Sequence, residues 1–110
     1  MNSTTHFKLV TFNVAGIQHG FWNGQMDKLL ELGPKVTVHF FQEPENQFDP
    51  NAIRLETGQD EKLGYVPMAG SMQPIFRRLM NGGYELKGKI NSQSTAYQVL
   101  VDVYMKRGNP

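Results

Sequence analysis

The chain breaks into about six short strand-like segments, each stopped within a few residues by glycine, proline or an asparagine-rich turn. Short consecutive strands leave unpaired edges in a flat sheet, and they resolve that problem by curling into a small barrel. Phe7 to Val14 comes first, with Phe7, Leu9, Thr11 and Asn13 on one face and Lys8, Val10, Phe12 and Val14 on the other. Apolar residues on both faces predict cover on both sides over part of its length. Val36 to Gln42, Ala52 to Glu56 and Lys62 to Val66 follow, the last stopped by Pro67. Tyr84 to Ile90 and Tyr97 to Met105 complete the set as alternating strands.

Two segments have helical spacing instead. Met26, Leu29, Leu30 and Leu32 precede the stop Gly33-Pro34 and predict a short helix or turn. A better helix is expected from a Ser71 cap through Met80, because Pro74 then falls in the first turn, where its missing N–H costs little. Ile75, Phe76, Leu79 and Met80 form its predicted buried stripe, with Arg77 and Arg78 outside, and Asn81-Gly82-Gly83 ends it. The expected class is mainly β with one or two short helices. Strand count alone allows an SH3-like or an OB-like barrel.

The 110 residues fit a single domain (1–110, with its core over about 7–105) that can bury a core without staples. The absence of cysteine excludes disulfides, thiolate metal sites and cysteine catalysis. No apolar run approaches the roughly 20 residues of a membrane span, and the amino-terminal residues lack the basic and apolar regions of a signal peptide. A soluble, cytoplasmic protein with no membrane partner is expected. The net charge of +1 is unevenly spread: residues 41–61 carry −5 and residues 62–110 carry +5. Arg77, Arg78, Lys87, Lys89, Lys106 and Arg107 are candidate phosphate-attracting cations, although on charge alone ordinary solvated positions account for them better.

The connection from the second segment to the third is unusually dense in turn chemistry. Glu43-Pro44-Glu45-Asn46-Gln47-Phe48-Asp49-Pro50-Asn51-Ala52-Ile53 places two prolines, two asparagines and three carboxylates in eleven residues. Carboxylates and amides in such a loop bond neighbouring backbone groups, and a loop fixed in this way can present polar atoms to a ligand. Glu43, Glu45 and Asp49 lack the spacing of an EF-hand loop, and His6, His19 and His39 have no ligand spacing, so no metal or cofactor is expected. No Ser-His-Asp or paired-acid arrangement stands out, and a non-enzymatic role is expected.

The order of these motifs resembles the HIRAN domain family. The resemblance rests on Gly16 after the first strand, on the run Glu43 to Ile53, on Gly64-Tyr65-Val66-Pro67, and on the helix ending in Leu79-Met80-Asn81-Gly82-Gly83. It spans about residues 7 to 105, and seven positions of the central motif agree in fixed order. It implies a modified OB-like barrel. In fork-remodelling helicases of the SWI/SNF class, such domains bind single-stranded DNA and recognise its free 3′-hydroxyl end. Small stand-alone or fused members occur in bacteria and phages.

The resemblance also implies roles for residues. Asp49 matches the motif aspartate that contacts the terminal hydroxyl, Phe48 the aromatic before it, and Asn46 and Asn51 the loop asparagines. Tyr65 stands where the family has a histidine or aromatic ring near the DNA. DNA-binding members carry an arginine and tyrosines after the first glycine, where this chain has Ile17-Gln18-His19-Gly20-Phe21-Trp22. The candidate nucleic-acid-binding residues are therefore Asp49, Phe48, Asn46, Asn51, Tyr65, His19, Trp22, Arg77, Arg78, Lys87 and Lys89.

Three readings follow. The first is a non-catalytic module for single-stranded DNA 3′ ends in repair or processing, with a helicase or nuclease partner. The second is a protein-interaction or regulatory module on the same barrel with the DNA site lost. The third is a metal-dependent nuclease using Glu43, Glu45 and Asp49. Phe48 and Tyr65 serve equally well as packing residues, Trp22 as a lid on the core, and Asp49 as a turn residue bonding the amides of Asn51 and Ala52.

Overall fold

The computed structural model describes residues 6–107; residues 1–5, which fall within the segment read for a signal peptide, and residues 108–110 lie outside the described residues. Six strands form one antiparallel sheet: β1 (His6–Asn13), β2 (Thr37–Gln42), β3 (Ile53–Glu56), β4 (Lys62–Tyr65), β5 (Glu85–Ile90) and β6 (Leu100–Lys106). Helix α1 (Met26–Leu32) lies between β1 and β2, and α2 (Met72–Asn81) between β4 and β5. The spatial order is β1-β6-β5-β2-β3-β4.

The chain closes the two edges of that sheet on each other. Beyond β1, the Ala15 amide donates to the Tyr65 carbonyl at 2.9 Å, and the Tyr65 amide donates back to the Ala15 carbonyl at 2.8 Å. This pair joins the end of β1 to the end of β4 and makes the sheet a small OB-like barrel. The seam depends on Gly64. A Cβ there would sit 2.4 Å from the Ala15 carbonyl oxygen and 2.6 Å from a Val14 methyl. Gly16 then turns the chain off the seam at φ 71°, in the left-handed region.

The interior follows the two-residue period of the strands. Val38 and Phe40, Ile53 and Leu55, Leu86 and Ile90, and Val101 and Val103 point inward and are buried. Helix α2 drives Phe76 into this core, where its ring lies 6.0 Å from both Phe12 and Phe40. The β1–β6 pairing slips register between Lys8 and Val10, Phe7 and Leu9 are exposed, and Asn13 is exposed too, so the cover expected on both sides of the first strand lies mainly on the side of Val10 and Phe12.

Three local expectations need correction. The last strand begins at Leu100, not Tyr97, because residues 95–98 form a tight turn. The Thr95 hydroxyl accepts from the amides of Tyr97 and Gln98, and Tyr97 is 93% exposed at its tip. Ser71 occupies the position before α2 but makes no side-chain cap; its carbonyl accepts from the Ile75 amide instead. The buried face of α2 is also rotated. Gln73 is buried and Ile75 is 50% exposed, because the face centred on Phe76 takes in the positions three and four residues before it rather than its neighbour. Gln73 has a polar partner that explains its burial.

Candidate nucleic-acid interface

The loop between β2 and β3 is built by its own side chains. The Asn46 carboxamide oxygen accepts from the amides of Phe48 and Asp49, both at 2.9 Å, while its NH2 group donates to Glu43 Oε1 at 2.9 Å. The Glu43 amide donates to the Ala52 carbonyl and holds the neck of the loop together. Tyr65 reaches across from the seam and donates its hydroxyl to Glu43 Oε1 at 3.0 Å. Arg54 donates to Glu43 Oε2 and to Glu56 Oε2, each at 2.7 Å. Motif residues far apart in sequence thus share one carboxylate, Glu43.

Burial pushes the Glu43 carboxyl up, but hydrogen bonds from Arg54, Asn46 and Tyr65 and the Arg54 charge outweigh it, so its pKa falls below 4.5. Arg54 is shifted the other way, chiefly by its bond to Glu43. Glu43 is therefore an ionised structural anchor with its lone pairs committed.

Asp49 is placed differently. Its Oδ1 accepts from the Asn51 amide at 3.0 Å, and its Oδ2 accepts from the Gln73 side-chain NH2 at 2.7 Å. A carboxylate has about four acceptor directions, so these two bonds fix its orientation and leave capacity for another donor. No ion pair among the described residues engages Asp49. It lies in a cleft of about 330 Å³ shared by the seam (Ala15, Gly16, Tyr65, Val66), the loop (Asn46, Phe48, Ala52), Met68 and Gln73. Phe48 stands at its mouth, 97% exposed, so its ring does no core packing. Asn51 supplies the amide that holds Asp49, and its side chain does not line the cleft.

The other candidates separate from this group. Trp22 is 7% exposed, packs edge-on to Phe21 and donates its indole N–H to Thr57 Oγ1 at 2.7 Å. It is a core lid, and its faces are not available to a base. His19 is exposed on the 3-10 turn Ile17–His19 but does not line the cleft. Arg77 and Arg78 lie on α2 beyond Gln73 and do not line it either. Lys87 and Lys89 project from β5 into a separate groove with Thr37 and Tyr104.

One residue absent from the candidate set lines the cleft, and another stands beside it. Gln73 orients the carboxylate. Lys62 does not line the cleft, but its ammonium lies 4.5 Å from the centroid of the ring of Tyr65, which does. Lys62 had no sequence signal, because positions three apart on a regular strand face opposite sides; here the β3–β4 pairing shifts register beside it. Gln73 had none either, because a glutamine near a helix start is ordinarily solvated.

The metal-nuclease reading finds no geometric support. Glu43 is committed to Arg54, Asn46 and Tyr65, Glu45 is exposed, and no group of three His, Asp or Glu side chains among the described residues is placed to hold an ion.

The closed six-stranded barrel and its aspartate cleft define a class, that of small OB-like domains with a cleft at the seam. The HIRAN domain model matches residues 7–107, and the chain belongs to that family. The family is linked to single-stranded DNA and 3′-end recognition, which implies nucleic-acid binding at that coarse level. A crystal structure of a protein from Lactobacillus plantarum has the same fold, with a TM-score of 0.73 and 24% identity over 93% of this chain and 97% of that one. No curated protein matches. Among the described residues, no helix is long and apolar enough to cross a membrane.

Proposed function

We propose that this protein is a non-catalytic module that binds the 3′-hydroxyl end of single-stranded DNA in the Asp49 cleft. The observation that carries the reading is the unpaired, doubly oriented carboxylate of Asp49 in an otherwise apolar-walled cleft. A carboxylate accepts a hydrogen bond from a terminal hydroxyl and repels a terminal phosphate, so one side chain both attracts the correct end and rejects the wrong one. Phe48 at the mouth and the Tyr65 ring offer faces for one or two bases, an interaction worth about 1–3 kcal/mol per base. Lys62, over Tyr65, supplies a cation where the loop after Gly16 has none. A module that reports an open 3′ end serves an enzyme that acts there, such as a helicase or nuclease in DNA repair or processing.

Fluorescence anisotropy with matched oligonucleotides ending in 3′-hydroxyl or 3′-phosphate tests this directly. The wild type is expected to favour the hydroxyl end by about 1.5–3 kcal/mol, roughly ten- to hundredfold, the scale of a hydrogen bond to a charged group. Asp49→Asn should remove most of that preference. Equal binding of both ends by the wild type overturns the reading. The runner-up, a protein-interaction module on the same barrel, is favoured by the missing arginine after Gly16, and it gains if no oligonucleotide binds even at about 50 mM salt, where phosphate contacts are strongest.

A further inference from the structure

Lys87 and Lys89 do not serve the cleft. In the closed order β1-β6-β5-β2-β3-β4, the seam joins β4 to β1, and the β5–β2 pair lies three strands away in either direction. The outer face of β5 is therefore on the far side of the barrel from Asp49. There Lys87 and Lys89 flank the inward Gly88, opposite His39 and Thr37 of β2 and Tyr104 and Asp102 of β6. A groove of about 420 Å³ runs over this face, lined by His6, Thr37, Lys87, Gly88, Lys89 and Tyr104.

The two ammonium groups are electrostatically available. Asp102 faces Lys89 in the register, but its carboxylate is taken by Thr11, by the Asn91 NH2 group at 3.0 Å and by Lys8 at 3.4 Å. No ion pair among the described residues engages Lys87 or Lys89. Lys87 instead lies 3.4 Å from His39 Nδ1, and Lys89 lies 5.8 Å from the Tyr104 ring centroid. Their backbone positions, two residues apart on one strand, are about 6.8 Å from each other, similar to the repeat of phosphates along an extended strand. The groove is lined by one phenol ring, that of Tyr104, and no aliphatic residue, and the two lysines carry its positive charge.

We infer that this β2–β5–β6 face is a second nucleic-acid contact surface, which takes the phosphate backbone without using an end. The barrel then has two functional sides: an acidic cleft that selects a terminus, and a basic groove that holds a strand irrespective of where it ends.

A circularised single-stranded oligonucleotide separates the two, because it has no terminus for Asp49. The wild type is expected to bind the circle, with affinity falling as salt rises. Lys87→Gln/Lys89→Gln should lower the slope of log affinity against log salt by about 1.4, given roughly 0.7 per phosphate contact on single strands. Lys87→Arg/Lys89→Arg should keep both affinity and slope, showing that charge and not fold is at issue. The glutamine pair should leave the hydroxyl-over-phosphate preference on linear strands unchanged. A circle that fails to bind at low salt, or binds equally to the glutamine pair, overturns the inference without touching the cleft. Polyglutamate binding as tightly as the circle would also overturn it, in favour of an acidic protein partner.

Discussion

Among single residues, Phe48 and Trp22 show how differently two aromatic side chains of one candidate set can be used. Trp22 fills the core and satisfies its indole N–H on Thr57. Phe48 touches almost nothing, and its loop is held by Asn46 instead. Phe48→Ala is therefore expected to change unfolding free energy by no more than about 0.5 kcal/mol, the usual range for a surface position. The same substitution should weaken single-strand binding by about 1–3 kcal/mol if a base stacks there. Trp22→Ala should do the reverse in kind, costing about 3–5 kcal/mol of stability through the cavity it leaves. Denaturant unfolding and oligonucleotide titration of the same two variants decide the matter. A Phe48→Ala protein that unfolds early but binds normally would remove Phe48 from the site. Composition could not separate these two residues, because both stand in segments rich in glycine or asparagine; only the closure of the barrel over Trp22 does so.

The elements themselves were largely legible, and the joints between them were not. Strand periodicity placed all six strands, and Gly33-Pro34 and Asn81-Gly82-Gly83 placed both helix ends, because these signals act within a few residues. Periodicity alone starts the last strand too early, since Tyr97 continues the alternation while Thr95 turns the chain through two hydrogen bonds that periodicity does not register. The motif loop was legible as a site, yet Gln73 became part of it only through the rotation of α2, which is a tertiary fact. The seam shows the same limit. Gly64 belonged to a recognisable motif, but its purpose is the approach of Ala15, far away in sequence, to a backbone with no room for a Cβ. Gly64→Ala should therefore cost at least about 1–3 kcal/mol, the scale of overpacking in a close-packed interior. Loss of protection of the Ala15 and Tyr65 amides in hydrogen exchange should accompany it. Normal protection of both in a stable Gly64→Ala protein would show that the seam tolerates the methyl group and that closure does not depend on the glycine.

For the molecule as a whole, two carboxylates tie distant parts of the chain together, and both are held in their charged form. Glu43 joins the motif loop to β3 and the seam; Asp102 joins β6 to β1 through Thr11 and Lys8 and to residue Asn91 after β5. In each case burial opposes ionisation, and hydrogen bonds with a neighbouring cation overcome it, so the folded pKa lies below the ordinary value. A depressed folded pKa contributes stability that is fully present above the unfolded value and is lost as pH falls through the folded one. For Glu43 the decline should begin near its ordinary value of 4.5 and continue below it. Stability should thus be level in these two groups near neutrality and fall in acid. Glu43→Gln keeps the shape but removes the charge, and near pH 7 it should cost about 1.5–3 kcal/mol, the scale of hydrogen bonds to a charged group. Because protonation removes the same charge from the wild type, the difference between the two proteins should shrink as pH falls below that value. Denaturant unfolding at a series of pH values measures it. A difference that stays constant into acid would assign the role of Glu43 to packing and not to the charge it shares with Arg54, Asn46 and Tyr65.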